Sequence, residues 1–227
     1  MVADDPKVFI FDLDGVITDT SEFHYLAWKK LASEIGIQID RNFNEQLKGI
    51  GRIESLNRIL ELDQTNKQRT ADELEALATR KNMHYQELIN SLGSANILPG
   101  IETLLKEIRA NNIKIALGSS SRNAKAVLEQ LGLIQYFDYL VDAAKVTKGK
   151  PNPETFTTAA DYFNIPYDQC VGIEDAASGV EALNQAAMFS VGVGDVAYLG
   201  EADYVVRDTS QLNFSEIIRK YQQWMAV

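Results

Sequence analysis

The chain has 227 residues, 45% of them hydrophobic and 24% charged, with a formal net charge of −10 at pH 7. That composition belongs to a globular protein with a sizeable core and excludes a low-complexity or disordered chain. The acidic balance argues against nucleic acid, whose binding draws on basic patches that release counterions, and no apolar run approaches the roughly 20 residues that a membrane helix needs.

The opening residues MVADDPK lack the basic start and apolar run of a secretory signal, so a cytoplasmic protein is expected. Val8 to Phe11 is a short unbroken apolar run, the pattern of a strand buried on both faces, and it stops at Asp12. Asp14 and Gly15 follow, so the chain leaves the sheet through a turn that brings two carboxylates near one point. Phe23, Ala27, Leu31 and Ile35, with Trp28 beside them, predict an amphipathic helix from Ser21 to Ile35 that Gly36 ends. Helical spacing recurs over Asn44 to Leu47, Arg52 to Leu62 and Ala71 to Ile89. No strand signal appears between Asp19 and Leu92. A connection of about 70 residues far exceeds the usual βα loop of about 2 to 6, so residues 20–92 are expected to form an all-helical cap domain inserted into a core of residues 1–19 and 93–227.

From Pro99 onward helices and strands alternate. Ile101 to Ile108 predicts a helix, Ile113 to Leu117 a buried strand, Val127 to Leu131 the end of a helix, and Tyr139 to Val141 a strand. A helix near Phe156 to Phe163, a strand at CVGI and a helix near Ala177 to Ala187 come next. Short strands at Phe189 to Val193 and Tyr204 to Val206 precede a last helix ending near Trp224. Such alternation predicts a doubly wound, parallel, Rossmann-like α/β sheet. Cys170, the single cysteine, lies in the CVGI run and reads as a buried thiol with no disulfide partner.

Polar residues of one theme follow the four strongest strand runs. VFIF leads into Asp12 and Asp14, IKIALG into Ser119, Ser120 and Ser121, YLVD after a loop into Lys150, and VGI into Glu174 and Asp175. In a parallel sheet these sets share the ligand-binding edge. Each piece alone has an ordinary reading as helix cap, turn former or solvated loop residue. Together they offer a nucleophile, hydroxyl donors, a cation and metal-ligating carboxylates, the parts that phosphoryl transfer uses. Oxygen ligands from Asp12, Asp175 and Glu174 suit Mg²⁺. Asp12 could form an aspartyl phosphate, Asp14 could move a proton as general acid and base, and Lys150 could neutralise phosphate oxygens.

The segments FDLDGVITDT, GSSSRN, KGKPNP and EDAASG resemble the four motifs of the haloacid dehalogenase superfamily, and TDTSEFHYLAW with NEQLKGIGR is similar to its β-phosphoglucomutase family. The resemblance implies interconversion of β-glucose 1-phosphate and glucose 6-phosphate through a phospho-enzyme and a bisphosphate, primed by a bisphosphorylated sugar or an acyl phosphate. It implies Asp12 as nucleophile, Asp14 as acid and base, and Mg²⁺ on Asp12, the Asp14 main-chain carbonyl, Glu174 and Asp175. Ser119 and Lys150 would orient the transferring phosphate, while Gly49, Ile50 and Arg52, with Ser120, Ser121, Arg122 and Asn123, would hold the distal phosphate and the sugar. Thr20 would lie at a hinge, and His24, Lys48 and Lys81 would line the cleft. Trp28 and Tyr85 read as cap core rather than sugar platforms, with Trp28 kept among the candidate substrate contacts. Rival functions are a sugar-phosphate phosphatase of the same fold and a phospho-acceptor signalling module. The absence of coiled-coil heptads favours a monomer.

Overall fold

A computed structural model describes residues 5–47, 51–63, 65 and 68–226. The chain divides into two compact units, one of Met1–Asp19 with Gly93–Val227 and one of Thr20–Leu92.

The larger unit is built on six parallel strands. They are β1 (Val8–Phe11), β2 (Lys114–Leu117), β3 (Tyr139–Leu140), β4 (Cys170–Glu174), β5 (Phe189–Val193) and β6 (Tyr204–Val206), in the spatial order β3-β2-β1-β4-β5-β6. This is the doubly wound order, with β1 at the centre and the reversal of winding beside it. Side chains alternate along β1. Val8 and Ile10 join Phe156, Ala159, Cys170 and Leu183 in one buried cluster, whereas Phe9 meets Phe214 and Phe11 meets Phe137, with ring centroids 6.2 and 6.3 Å apart. Burial on both faces explains why the strand reads as a continuous apolar run. Gly172 in β4 lets helix and strand approach closely, since a Cβ there would lie 2.0 Å from Leu183 Cδ2.

The helices of this unit are Ile101–Ala110, Ala124–Gln130, Glu154–Phe163, Ala177–Gln185, Val196–Leu199 and Phe214–Trp224. The helix Val196–Leu199 has no counterpart in the sequence reading. It is a single turn that Asp195 caps through a bond from the Ala197 N–H at 2.9 Å, too short for apolar periodicity to register.

The smaller unit is helical. It contains α1 (Ser21–Glu34), α2 (Arg41–Glu45), α3 (Arg52–Leu60) and α4 (Ala71–Ile89), with α1 and α3 both packed on α4. Its core gathers Trp28, Leu31, Ile37, Ile39, Leu56, Ile59 and Ala78. α4 starts at a capping box in which Thr70 and Glu73 satisfy each other's backbone N–H groups. α2 corrects the expected Asn44 to Leu47 helix. Asp40 accepts from the Phe43 N–H at 2.8 Å and so starts the helix three residues earlier. Among the described residues no helix is long and apolar enough to cross a membrane.

Candidate active site

Strand register builds the site. Phe11 stands opposite Leu117 on one side and Ile173 on the other. The ladder runs one residue further, with the Asp12 N–H donating to Ile173 O at 2.9 Å and the Gly118 N–H to Phe11 O at 2.8 Å. Asp12, Ser119 and Glu174 are thereby brought to the carboxyl edge of the three central strands. Gly15 takes a φ of +78°, which the turn between Asp14 and Thr18 requires. That glycine is needed for a second reason: a Cβ on it would lie 1.9 Å from Asp175 Oδ2, so the Asp175 carboxylate rests against bare backbone.

Lys150 joins the carboxylates. Its Nζ donates to Asp12 Oδ1 and to Glu174 Oε1, each at 2.5 Å, and lies 4.7 Å from the centroid of the buried Phe156 ring. Asp12 is 9% exposed and Glu174 1%, so two nearly dry carboxylates share one ammonium. Burial by itself would discharge that ammonium, but the Asp12 and Glu174 charges outweigh it and raise the Lys150 pKa. Burial pushes the Asp12 carboxyl up to about 8 in spite of Lys150, with the Glu174 and Asp14 charges adding to the push. Asp175 is open to solvent, yet desolvation of its carboxylate and the neighbouring Glu174 and Asp14 charges raise it too.

The imbalance has a simple cause. Asp12, Asp14, Glu174 and Asp175 set four carboxylates against the single positive charge of Lys150, an excess of negative charge that a divalent cation would reduce. Among the described residues no three His, Cys, Asp or Glu side chains are placed to hold a metal by themselves. Such an arrangement suits Mg²⁺, which takes one or two protein carboxylates and completes its shell with waters and phosphate. Glu174, expected as a ligand, already accepts from Lys150 through Oε1 and from the Asp175 and Ala176 N–H groups through Oε2, at 2.9 and 3.0 Å.

Ser119 is buried, and its Oγ accepts from the Ser121 N–H at 3.1 Å, while Ser121 Oγ accepts from the Asn123 N–H at 3.3 Å. The serine run thus folds on itself as a turn entering the helix Ala124–Gln130, with Asn123 buried and Ser120 and Arg122 exposed.

In the helical unit, the cationic Lys81 is buried, only 3% exposed. Its Nζ lies 2.8 Å from His24 Nδ1 and over the rings of Trp28 and Tyr85, at 4.8 and 5.0 Å. Tyr85 in turn donates to Thr20 Oγ1 at 3.0 Å. Burial, then the charges of Lys81 and Arg52, hold the His24 imidazole down at about 3, so it is neutral at physiological pH. An ammonium has no lone pair and can only donate, which leaves the His24 proton on Nε2. Trp28 is buried in the core of this unit, as its helical spacing suggested, and is corrected from substrate contact to core. Arg52 donates to Asn82 Oδ1 at 3.0 Å. Lys48, Gly49 and Ile50 lie outside the described residues.

A sequence model of the haloacid dehalogenase-like hydrolases matches residues 6–187. The β-phosphoglucomutase of Bacillus subtilis is 46% identical over 218 residues, 96% of each chain. The chain belongs to the β-phosphoglucomutase family of the haloacid dehalogenase superfamily. A crystal structure of β-phosphoglucomutase from Clostridium difficile superposes with a TM-score of 0.90 at 49% identity, covering 98% of this chain and all of that one. A fructose-1-phosphate phosphatase of Escherichia coli is more distant, 33% identical over 81% of this chain.

The contacts of the site turn attention to two residues that the sequence reading passed over. Gly179 is one: a Cβ on it would lie 2.0 Å from Glu174 Oε1. Its position in EDAASG carried the signal. Glu154 is the other, and it follows KGKPNP directly in the sequence.

Proposed function

We propose that the chain interconverts β-glucose 1-phosphate and glucose 6-phosphate, with Asp12 carrying the phosphoryl group between them. The observation that carries this reading is the near full-length identity of 46% and 49% to two β-phosphoglucomutases, against 33% over a shorter span to a phosphatase.

Asp12, phosphorylated at first by a bisphosphorylated sugar or an acyl phosphate, passes the phosphoryl group to the 6-hydroxyl of β-glucose 1-phosphate. The bond between phosphorus and the carboxylate oxygen breaks, a bond to O6 forms, and Asp14 takes the hydroxyl proton. The bisphosphate then presents its other end. Asp12 attacks the phosphorus on O1, Asp14 returns the proton to O1, and glucose 6-phosphate leaves with Asp12 phosphorylated again. Lys150, held between Asp12 and Glu174, sets a fixed positive charge where negative charge spreads over the phosphoryl oxygens, and the Ser119 hydroxyl orients the group. The family works with Mg²⁺; Asp12, the main-chain carbonyl of Asp14, Glu174 and Asp175 would hold it here, and it would neutralise phosphate charge. Arg52 is suited to gripping the distal phosphate, because a guanidinium binds phosphate in a bidentate manner, and Ser120, Ser121, Arg122 and Asn123 would contact the sugar phosphate from the serine turn. Monomeric action belongs to the same proposal.

A ³¹P NMR time course with β-glucose 1-phosphate, Mg²⁺ and a trace of bisphosphate primer tests it. Glucose 6-phosphate should accumulate with little inorganic phosphate. Free phosphate without isomerised sugar would move the assignment to a phosphatase.

A further inference from the structure

The segment that delivers Lys150 is weakly packed. Thr147, Lys148, Gly149 and Pro151 are exposed, and only Val146 leans on the core cluster. Lys150 nevertheless reaches the site with its side chain 10% exposed. Hydrogen bonds, not apolar burial, therefore decide where this segment runs.

Three of them converge on one side chain. Glu154 opens the helix Glu154–Phe163, and its carboxylate turns back over the segment. Oε1 accepts from the Thr147 N–H at 2.7 Å, while Oε2 accepts from Thr147 Oγ1 at 2.7 Å and from the Lys148 N–H at 2.9 Å. The far side of the ring is closed by the Asn152 N–H on Gly149 O at 3.0 Å and the Glu154 N–H on Asn152 Oδ1 at 3.1 Å. An acid in the first turn of a helix is favoured by the helix dipole alone, but that effect requires no contact with a preceding loop. Here both oxygens are committed to residues 147 and 148, three and two positions before Lys150. These bonds hold the Glu154 carboxyl below its ordinary range, so it stays ionised and each bond is charge-assisted.

We infer that Glu154 is a positioning residue for the reaction: by closing residues 147–154 into a ring anchored on a helix, it fixes where the Lys150 ammonium stands between Asp12 and Glu174. This rests on the reading above in which Lys150 stabilises the transferring phosphoryl group. Without the Glu154 carboxylate, the Asn152 bonds remain but residues 147 and 148 lose their tie to the helix, and misplacement of Lys150 on the order of 1 Å costs about 100-fold in rate.

The test is a double-mutant cycle on kcat and KM, using Glu154→Ala, Lys150→Met and the pair. Glu154→Ala should lower kcat by about 10- to 100-fold, with KM changing less than about 3-fold and a far-UV circular dichroism spectrum like that of the parent. In the Lys150→Met background the same change should alter kcat less than about 2-fold, because the group it positions is gone. Glu154→Gln keeps one accepting oxygen and should fall between; it carries the test if the alanine variant does not fold. Equal losses in both backgrounds, or no loss in the parent, would overturn the inference. A Lys150→Met enzyme as fast as the parent would instead sink the role given to Lys150, and so separates the two failures.

Discussion

Gly179→Ala is the sharpest single test of the site's packing, because it adds one methyl group and removes nothing. The new Cβ would sit 2.0 Å from Glu174 Cδ and Oε1, against an ordinary contact of 3.4 Å or more, so the carboxylate must retreat by about 1.4 Å. A glutamate at a surface would swing aside at little cost. Glu174 is 1% exposed, and Lys150, the Asp175 N–H and the Ala176 N–H all hold it. Overpacking typically costs about 1–3 kcal/mol, and a lost hydrogen bond to a charged group about 1.5–3 kcal/mol. The expected loss is about 3–5 kcal/mol, which for a chain of this size lowers the melting temperature by about 6–20 °C. Displacing Glu174 also moves its partner Lys150, so kcat should drop by about 100-fold. Differential scanning calorimetry and a coupled assay for glucose 6-phosphate give the two numbers. Gly149→Ala is the control: its Cβ meets nothing within 4 Å, and a change of less than about 0.5 kcal/mol is expected. If the two alanine variants melted together and turned over equally, the account of Glu174 as an immobile strut would be wrong.

Asp12→Asn should abolish turnover and the labelling of the protein by acyl phosphate, whereas Asp14→Ala should still be labelled and lose sugar chemistry; equal residual activity in both would contradict their separate roles. His24, held near pKa 3 against 6.5 in the unfolded chain, binds its proton only after unfolding throughout that interval, so its contribution to stability falls as pH drops from about 6.5 toward 3. Its imidazole resonances should stay still from pH 5 to 8, and His24→Gln should flatten the acid side of the melting curve; a ring titrating near 6.5 would refute the buried pairing with Lys81. Cys170 is fully buried, its thiol is pushed up to about 12 by burial, and its Sγ lies 3.3 Å from Pro166 O. It should ignore a disulfide reagent at pH 8 and react fully in urea, and fast labelling of the folded protein would mean that β4 opens readily.

Much of this protein is local in origin and could be read from the chain alone. The central strands were visible because burial on both faces leaves no polar position, so VFIF and CVGI stand out as runs, and α4 was legible end to end because nineteen residues repeat the helical period. A parallel sheet forces the residues after each strand to a common edge, which is why Asp12, Ser119, Lys150 and Glu174 could be grouped without coordinates. Other features depend on what stands across from a residue, and no spacing encodes that. No spacing around Lys81 shows that α1 places His24 and Trp28 against it. Nothing around Glu174 in sequence shows that Lys150 joins the Asp175 and Ala176 N–H groups in holding it, and Glu154 reads as an ordinary first-turn acid until the backbone of 147–148 folds over it. Sequence alone determined the elements and the edge at which they meet, because hydrophobic period and strand direction are properties of neighbouring residues. Tertiary structure alone decided which carboxylate is dry, which cation is shared and which glycine has no room for a methyl group, because each is a matter of distance between segments far apart along the chain.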